Sequence, residues 1–288
     1  MNKNTSKKGN WVFILIFIIG LMFTIYPLIS QWYYRIDSSK DIEEFDTAQK
    51  ELDDSEIQER IKLAKAYNST LSPTSVKDPF TKKEKEEGIK EYAKMLQLGE
   101  LIGHIEIPKI AEDLPIYAGT SDEILQKGAG HLEGTSLPVG GEGTHTVITA
   151  HRGLPNATLF RNLDQLTYGD VFYIHNVAGT LAYEVDKLEV IEPTDIDKIL
   201  VKDDSDIATL LTCTPYMINS HRLLVTGHRI SYTDPVDETN LPWKGLYPDW
   251  LQLCLVLIPI ILLLIYAIIR QIRKSKTLRE RESYLEEI

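Results

Sequence analysis

The sequence predicts a mainly β domain, a closed barrel or a sandwich, tethered by a membrane helix at each end. Three observations predict it. From residue 99 onward, short runs rich in Ile, Val, Leu and Tyr alternate with turn residues: LIGHIEIP, LPIYA, THTVITA, VFYIHN, LAYEVDKLEVI, IATLLTC and HRLLVTGHRI. Seven or eight short strands at such spacing are the pattern of sandwiches and barrels. Two stretches, 11–30 and 251–269, carry no charged residue at all. The 288 residues suffice for one core of that size plus its appendages.

The first apolar stretch, WVFILIFIIGLMFTIYPLIS, follows Lys3, Lys7 and Lys8. At about 1.5 Å per residue it reaches roughly 30 Å, the thickness of a bilayer's hydrocarbon core. A secretory signal also starts basic. Its apolar region runs only about 7–15 residues, however, and no small-x-small cleavage site follows Pro27. The expectation is an uncleaved transmembrane helix over 11–31. The second stretch, LQLCLVLIPIILLLIYAII, predicts another over 250–269. Neither shows the polar face of a buried core helix. Basic residues precede the first (Lys3, Lys7, Lys8) and follow the second (Arg270, Arg273, Lys274, Lys276). Both flanks, 1–10 and 270–288, are therefore expected in the cytoplasm, with everything between the spans outside.

Charge agrees. The chain carries net −11; with +3 on residues 1–10 and +2 on 270–288, the part between carries −16. That balance argues against nucleic-acid binding, which needs a basic patch. Polypeptides and cationic groups such as lysine side chains remain as partners.

Between the spans, 32–98 reads as helical. DIEEFDTAQKELDDSEIQERIKLAKAYN (41–68) is a polar helix or helix pair with a thin stripe of Ile57, Ile61 and Leu63. STLSPTSVKDPFT (69–81) is a loop, and helix resumes over 82–96. The β-domain spans 99–235, with short helices expected at 121–128 and 157–166, and a linker covers 236–249.

One residue type is out of place. Exported cysteines usually pair as disulfides, yet the only cysteines are Cys213, in TLLTCTPYM, and Cys254, inside the second apolar stretch. Cys213 is either a buried small hydrophobe or a nucleophile. The second role requires a thiolate, a nearby base or cation, and donors for an oxyanion. Seven histidines are candidates. His151 closes the strand-like run HTVITAHRG before a Gly-Pro loop, and Arg222 opens the strand that a hairpin would return beside Cys213. Arg152 reads as a surface charge. The residues alone do not choose among these.

The motifs resemble those of the sortase family, and specifically its class C, the pilus-assembling sortases. TLLTC (209–213) is similar to the family's TLxTC signature. HRLLVTGHR resembles the segment carrying its essential arginine, THTVITAHRGLP the segment carrying its catalytic histidine, and GHIEIPKIAEDLPIYAG (103–119) its opening strands. The resemblance covers roughly residues 99–231 in order and register. It implies a closed eight-stranded sortase-type β-barrel with short helices. It implies Cys213 as nucleophile, His151 as general acid and base, and Arg222 as the holder of the substrate carbonyl or oxyanion. Thr212 is either an extra oxyanion donor or strand packing, and Leu210 lines the substrate groove or the core.

Class C enzymes carry an N-terminal lid with an Asp-Pro-aromatic motif, which maps onto Asp78, Pro79 and Phe80 in KDPF. A carboxylate suits guanidinium as a forked acceptor. A latch worth about 0–1 kcal/mol can still be displaced by substrate.

The implied activity is transpeptidation at the surface of a Gram-positive cell. An LPxTG-type sorting signal is cut between Thr and Gly, held as a thioester, and passed to a lysine of another pilin subunit. No cofactor or metal is implied. The partners are pilin subunits carrying the sorting signal and acceptor lysine. Two other readings stand beside it: a housekeeping-type sortase that anchors proteins to peptidoglycan, and a membrane-anchored adhesin domain with an inert Cys213.

Overall fold

A computed structural model of the chain describes residues 5–71, 92–195, 199, 205–232, 258–263, 266 and 269–270, with side chains from residue 15 onward. Ser30–Pro242 forms one compact unit and the residues outside it another. Asp78, Pro79 and Phe80 lie outside the described residues, as does most of the 82–96 helix expectation. Lys94–Leu96 form a single 3₁₀ turn.

The helical region consists of two helices. α1 runs Thr5–Glu51 without interruption, with Pro27 inside it. The sequence suggests a separate span and a separate polar helix; the structure joins them. The N-terminal part of α1 is long and apolar enough to cross a membrane. Its large side chains, Ile16, Met22, Phe23 and Ile29 among them, are exposed. Farther along, the helix changes character. Ile42 and Phe45 are buried, and burying a side chain such as Phe contributes about 1.5–3 kcal/mol. α2 (Asp54–Asn68) starts at Asp53, whose carboxylate accepts from Glu56 N at 2.8 Å, a cap worth about 1 kcal/mol. Asn68 at its end both donates to Leu137 O (3.2 Å) and accepts from Leu137 N (2.8 Å), pairing with backbone as a strand residue would.

The β-domain is a closed barrel of eight strands in the order β1-β2-β3-β4-β7-β8-β6-β5. The strands are β1 (Leu101–Ile107), β2 (Glu112–Ala118), β3 (Ala129–His131), β4 (Thr144–Thr149), β5 (Val171–Asn176), β6 (Gly179–Ile191), β7 (Asp206–Thr214) and β8 (His221–Ile230). Closure leaves no free edge. β2–β3 and β4–β7 are parallel and every other pair is antiparallel.

Gly103 marks a register shift in β1. A Cβ there would stand 2.2 Å from His175 O on β5, so only glycine lets the two backbones close. α3 (Asp122–Lys127), capped by Ser121, matches the expected helix at 121–128. The helix expected over 157–166 shrinks to a 3₁₀ turn, Leu163–Gln165. The reason is Leu159, which is fully buried at φ 47°, a left-handed conformation that no α-helix accommodates.

Side chains alternate across each strand. Ala208, Leu210, Leu223 and Val225 belong to the main core inside the barrel. Val147, Leu211 and Leu224 belong to a second cluster with Leu132, Ile191 and Ile199, on the opposite face of the same strands. Cys213 shares the parity of Leu211, so β7 carries it on this second face.

Candidate active site

Strand register builds the site. In the antiparallel β7–β8 pair, Cys213 stands opposite Arg222 and Thr214 opposite His221. Residues directly opposite in such a pair project to the same face. On β7's other side, parallel β4 runs in register to Thr149↔Leu211, and Ala150 N then donates to Leu211 O (3.2 Å). His151 is the next residue. It therefore emerges beside the C-terminal end of β7, where Cys213 sits. His151, Arg152, Leu154, Cys213, Tyr216 and Met217 are among the walls of one cleft of about 270 Å³. Cys213 is buried and carries no disulfide.

The seven histidines separate by environment. His104 is buried, bonded to Asp113 (2.7 Å) and stacked at 4.2 Å on His175, which bonds Thr180. His131 is fully buried; burial pushes its imidazole down to about 4, and it bonds Tyr92 (2.7 Å). His145 bonds Thr209 (2.7 Å) inside the domain. His221 bonds Ser220 and His228 bonds Asp186, both at the surface. His151 alone among them borders the cleft with Cys213.

The other expected site residues sit as follows. Arg222 is buried, and its Nη1 donates to Asn219 O (3.2 Å) and His221 O (3.1 Å), across the turn that joins β7 to β8. Thr212 is fully buried, and its hydroxyl donates to Ala150 O (2.8 Å). It thus ties β7 to the residue before His151. Leu210 is fully buried in the main core. Neither Leu210 nor Thr212 borders the cleft. Among the described residues, no group of three or more His, Cys, Asp or Glu is arranged to hold a metal ion.

Arg152 corrects the sequence reading. It is buried, with Nη1 donating to Thr214 Oγ1 and Nη2 to Asp164 Oδ2 (2.6 Å). No local pattern marks a charge for burial; the fold brings both partners from distant strands and turns. The segment 152–166 is held at a second point by Thr158, whose hydroxyl donates to Glu112 (2.5 Å). Glu112 also pairs with Arg35 of α1 (3.4 Å). Burial pushes the Glu112 carboxyl up to about 7, against the opposing pull of Thr158 and Arg35. Tyr216, Met217 and Ile218, in the turn next to Cys213, are exposed. Their only signal in the sequence was apolar residues in a turn with a Pro and an Asn.

Comparison with known proteins supplies a family. The Sortase domain family matches residues 105–230. Sortase D of Bacillus subtilis (strain 168) is 30% identical over 138 residues, which cover 47% of this chain and 67% of that one. Sortase A of Bacillus anthracis is 28% identical over 130 residues, covering 44% and 59%. Among solved structures, a Sortase C of Streptococcus pneumoniae, studied for catalysis and pilin substrate specificity, is 57% identical. It has a TM-score of 0.65 and covers 68% of this chain and all of its own. Sortase C1 of GBS pilus island 1 is 52% identical with a TM-score of 0.65, covering 70% and 96%.

Proposed function

The chain belongs to the sortase family, and we propose that it is a pilin-polymerising cysteine transpeptidase acting on LPxTG-type sorting signals. The observation that carries this reading is one cleft bordered by Cys213 and His151, with Arg222 opposite Cys213 in the β7–β8 register. The likeness to pilus sortases at 52–57% identity supports pilins as the substrate class.

The chemistry proceeds in two halves. The Cys213 thiolate attacks the carbonyl carbon of the signal's Thr. The C–N bond to Gly breaks, His151 protonates the departing amine, and the acyl half stays on sulfur as a thioester. A lysine amine of a second pilin then attacks that carbonyl. His151 takes its proton, the C–S bond breaks, and an isopeptide bond forms while the thiolate is regenerated. Arg222 donates charge-assisted hydrogen bonds to the oxyanion of both tetrahedral intermediates.

α1 anchors the enzyme. A second span over 250–269, both chain ends in the cytoplasm and the barrel on the outer face of a Gram-positive membrane complete the topology. They place the thiol where tethered substrates emerge. The described residues of the second stretch, 258–263, 266 and 269, are helical. Asp78, Pro79 and Phe80 act as a lid over the cleft.

Incubation of the full chain in detergent with an LPxTG peptide is expected to give a covalent adduct on Cys213, seen by mass spectrometry, and none with Cys213→Ala. With a pilin carrying both signal and lysine it is expected to give lysine-linked multimers. An adduct without multimers points to a peptidoglycan acceptor; no adduct at all removes the enzymatic reading. Arg222→Lys keeps the charge but loses the planar fork, so most turnover should go with it. The lid reading expects Asp78→Ala with Phe80→Ala to speed alkylation of Cys213; an unchanged rate rejects it.

A further inference from the structure

His151 and Cys213 come from different strands, yet the residues flanking them are bonded to each other in pairs. Before each of them, Thr212 Oγ1 donates to Ala150 O (2.8 Å). After each of them, Arg152 Nη1 donates to Thr214 Oγ1 (2.5 Å). By strand alternation, Thr212 and Thr214 project to the opposite face of β7 from Cys213. The two threonines of this bracket thus grip from the face of β7 away from Cys213, while Arg152 also borders the cleft.

Arg152 extends the bracket. Its Nη2 donates to Asp164 Oδ2 (2.6 Å) in the 3₁₀ turn Leu163–Gln165, so one guanidinium joins the His151 segment, the end of β7 and this turn. Its side chain is 8% exposed while that of Asp164 is 53% exposed. Its Nε is buried without a hydrogen-bond partner. Burying a cation and orphaning one of its donors is costly. A surface lysine or a neutral residue would avoid that cost. What neither offers is two parallel donor groups in a rigid plane, reaching a hydroxyl and a carboxylate at once.

We infer that Arg152 is a positioning residue for transpeptidation: it fixes the distance and angle between the His151 imidazole and the Cys213 sulfur by clamping Thr214 and Asp164 together. The inference rests on the proposed roles of Cys213 and His151. It predicts that loosening the clamp acts on kcat more than on KM, by slowing the steps in which His151 gives a proton to the departing amine or takes one from the incoming amine. Misplacement by about 1 Å can cost roughly 10²-fold in rate.

The test is a double-mutant cycle on the full chain in detergent, using Arg152→Lys, Thr214→Val and the pair, with an LPxTG peptide and an amine acceptor. Expected are losses of about 10-fold to 10²-fold in kcat for each single variant. KM should stay within about twofold, and the double variant should be little worse than either single one. Asp164→Asn, at a largely exposed position, is expected to give a smaller loss of the same kind. Alkylation of Cys213 by iodoacetamide across pH supplies a readout that needs no substrate: its apparent titration should shift in Arg152→Lys and in Thr214→Val alike. A purely structural role gives lower melting temperatures with wild-type kcat per folded molecule and an unmoved alkylation profile; that result overturns the inference. So do strictly additive losses. If wild type forms no acyl adduct on Cys213, the transpeptidase reading itself falls, whatever the variants do.

Discussion

The segment that follows His151 is tied down at one point by the Arg152–Asp164 pair and at another by Thr158, which bonds a Glu112 that is itself paired with Arg35, and the two arginine–carboxylate pairs are built inversely. Near the cleft the cation is buried and the acid is open to water, with Arg152 8% and Asp164 53% exposed. At the far point the acid is buried and the cation is half-open, with Glu112 5% and Arg35 35% exposed. A guanidinium holds its proton at any physiological pH, so the buried member of the Arg152 pair keeps its charge throughout. A buried carboxyl does not. Burial raises Glu112 to about 7, so it changes charge near neutral pH. The pair nearer Cys213 thus buries the member that keeps its charge, and the pair with the variable buried member is the one Glu112 makes with Arg35 of α1.

Four experiments probe that contrast, in order of expected effect. Glu112 should show the largest. Its carboxyl is raised from 4.5 to about 7 on folding, so the folded state holds a proton that the unfolded state has released. Its contribution to stability is complete below pH ~4.5 and is lost as pH rises through about 7, a span worth up to about 3 kcal/mol. In Glu112→Gln this downward slope of melting temperature between pH 5 and 7.5 should vanish; a slope like that of wild type would mean that another group titrates there.

Thr212→Val, on the opposite side of the contrast, leaves Ala150 O buried without its donor. It should lower stability by about 1–3 kcal/mol, equally at pH 5 and pH 8. Chemical denaturation at both values measures this, and a pH-dependent loss would contradict it.

Gly153→Ala comes third. The residue holds φ +96°, and a Cβ would stand 2.6 Å from Arg161 Nε. A loss of about 1–2 kcal/mol should follow, along with a weaker Arg161 bond to Leu154 O (2.9 Å). A neutral result in the same denaturation series would show that Arg161 simply yields.

Tyr216→Ala is the smallest. Arg161 lies 5.7 Å from its ring centroid, and such a contact at an exposed site contributes about 0.5–1 kcal/mol. A loss of several kcal/mol would reveal that Tyr216 holds the turn in place.

What could be read in advance followed from periodicity. β1, β2 and β4–β8 all fall on the Ile/Val/Leu/Tyr runs, because a half-buried strand writes its own pattern. β3 is only Ala129–His131, too short and too small to write one. The helix expected over 157–166 had apolar spacing, but its Leu159 turns left-handed to stay in the core, a tertiary choice that overrides local preference. α1 runs on through Glu51 where two separate helices were expected, because helical φ and ψ can continue across a change from apolar to polar surface.

The same division governs the site. Cys213, His151 and Arg222 could be singled out through residue chemistry and family motifs. Arg152 could not, since its burial depends on Thr214 and Asp164 arriving 62 and 12 residues farther along the chain. Thr212 looked equally suited to oxyanion donation or to packing, and only the parallel pairing of β4 with β7 brings Ala150 O to its hydroxyl.

The placement of β7 between β4 and β8 has one more consequence. A strand laddered on both sides has no room to recoil, so the backbone beneath Cys213, the proposed nucleophile, behaves as an anvil. In the proposed reaction, as carbon goes from planar to tetrahedral and back on each half-reaction, the travel must come from rotation of the cysteine side chain and from the incoming peptide. Turnover should therefore leave amide-hydrogen exchange along 209–213 unchanged while quickening or slowing it in the turn at 215–220.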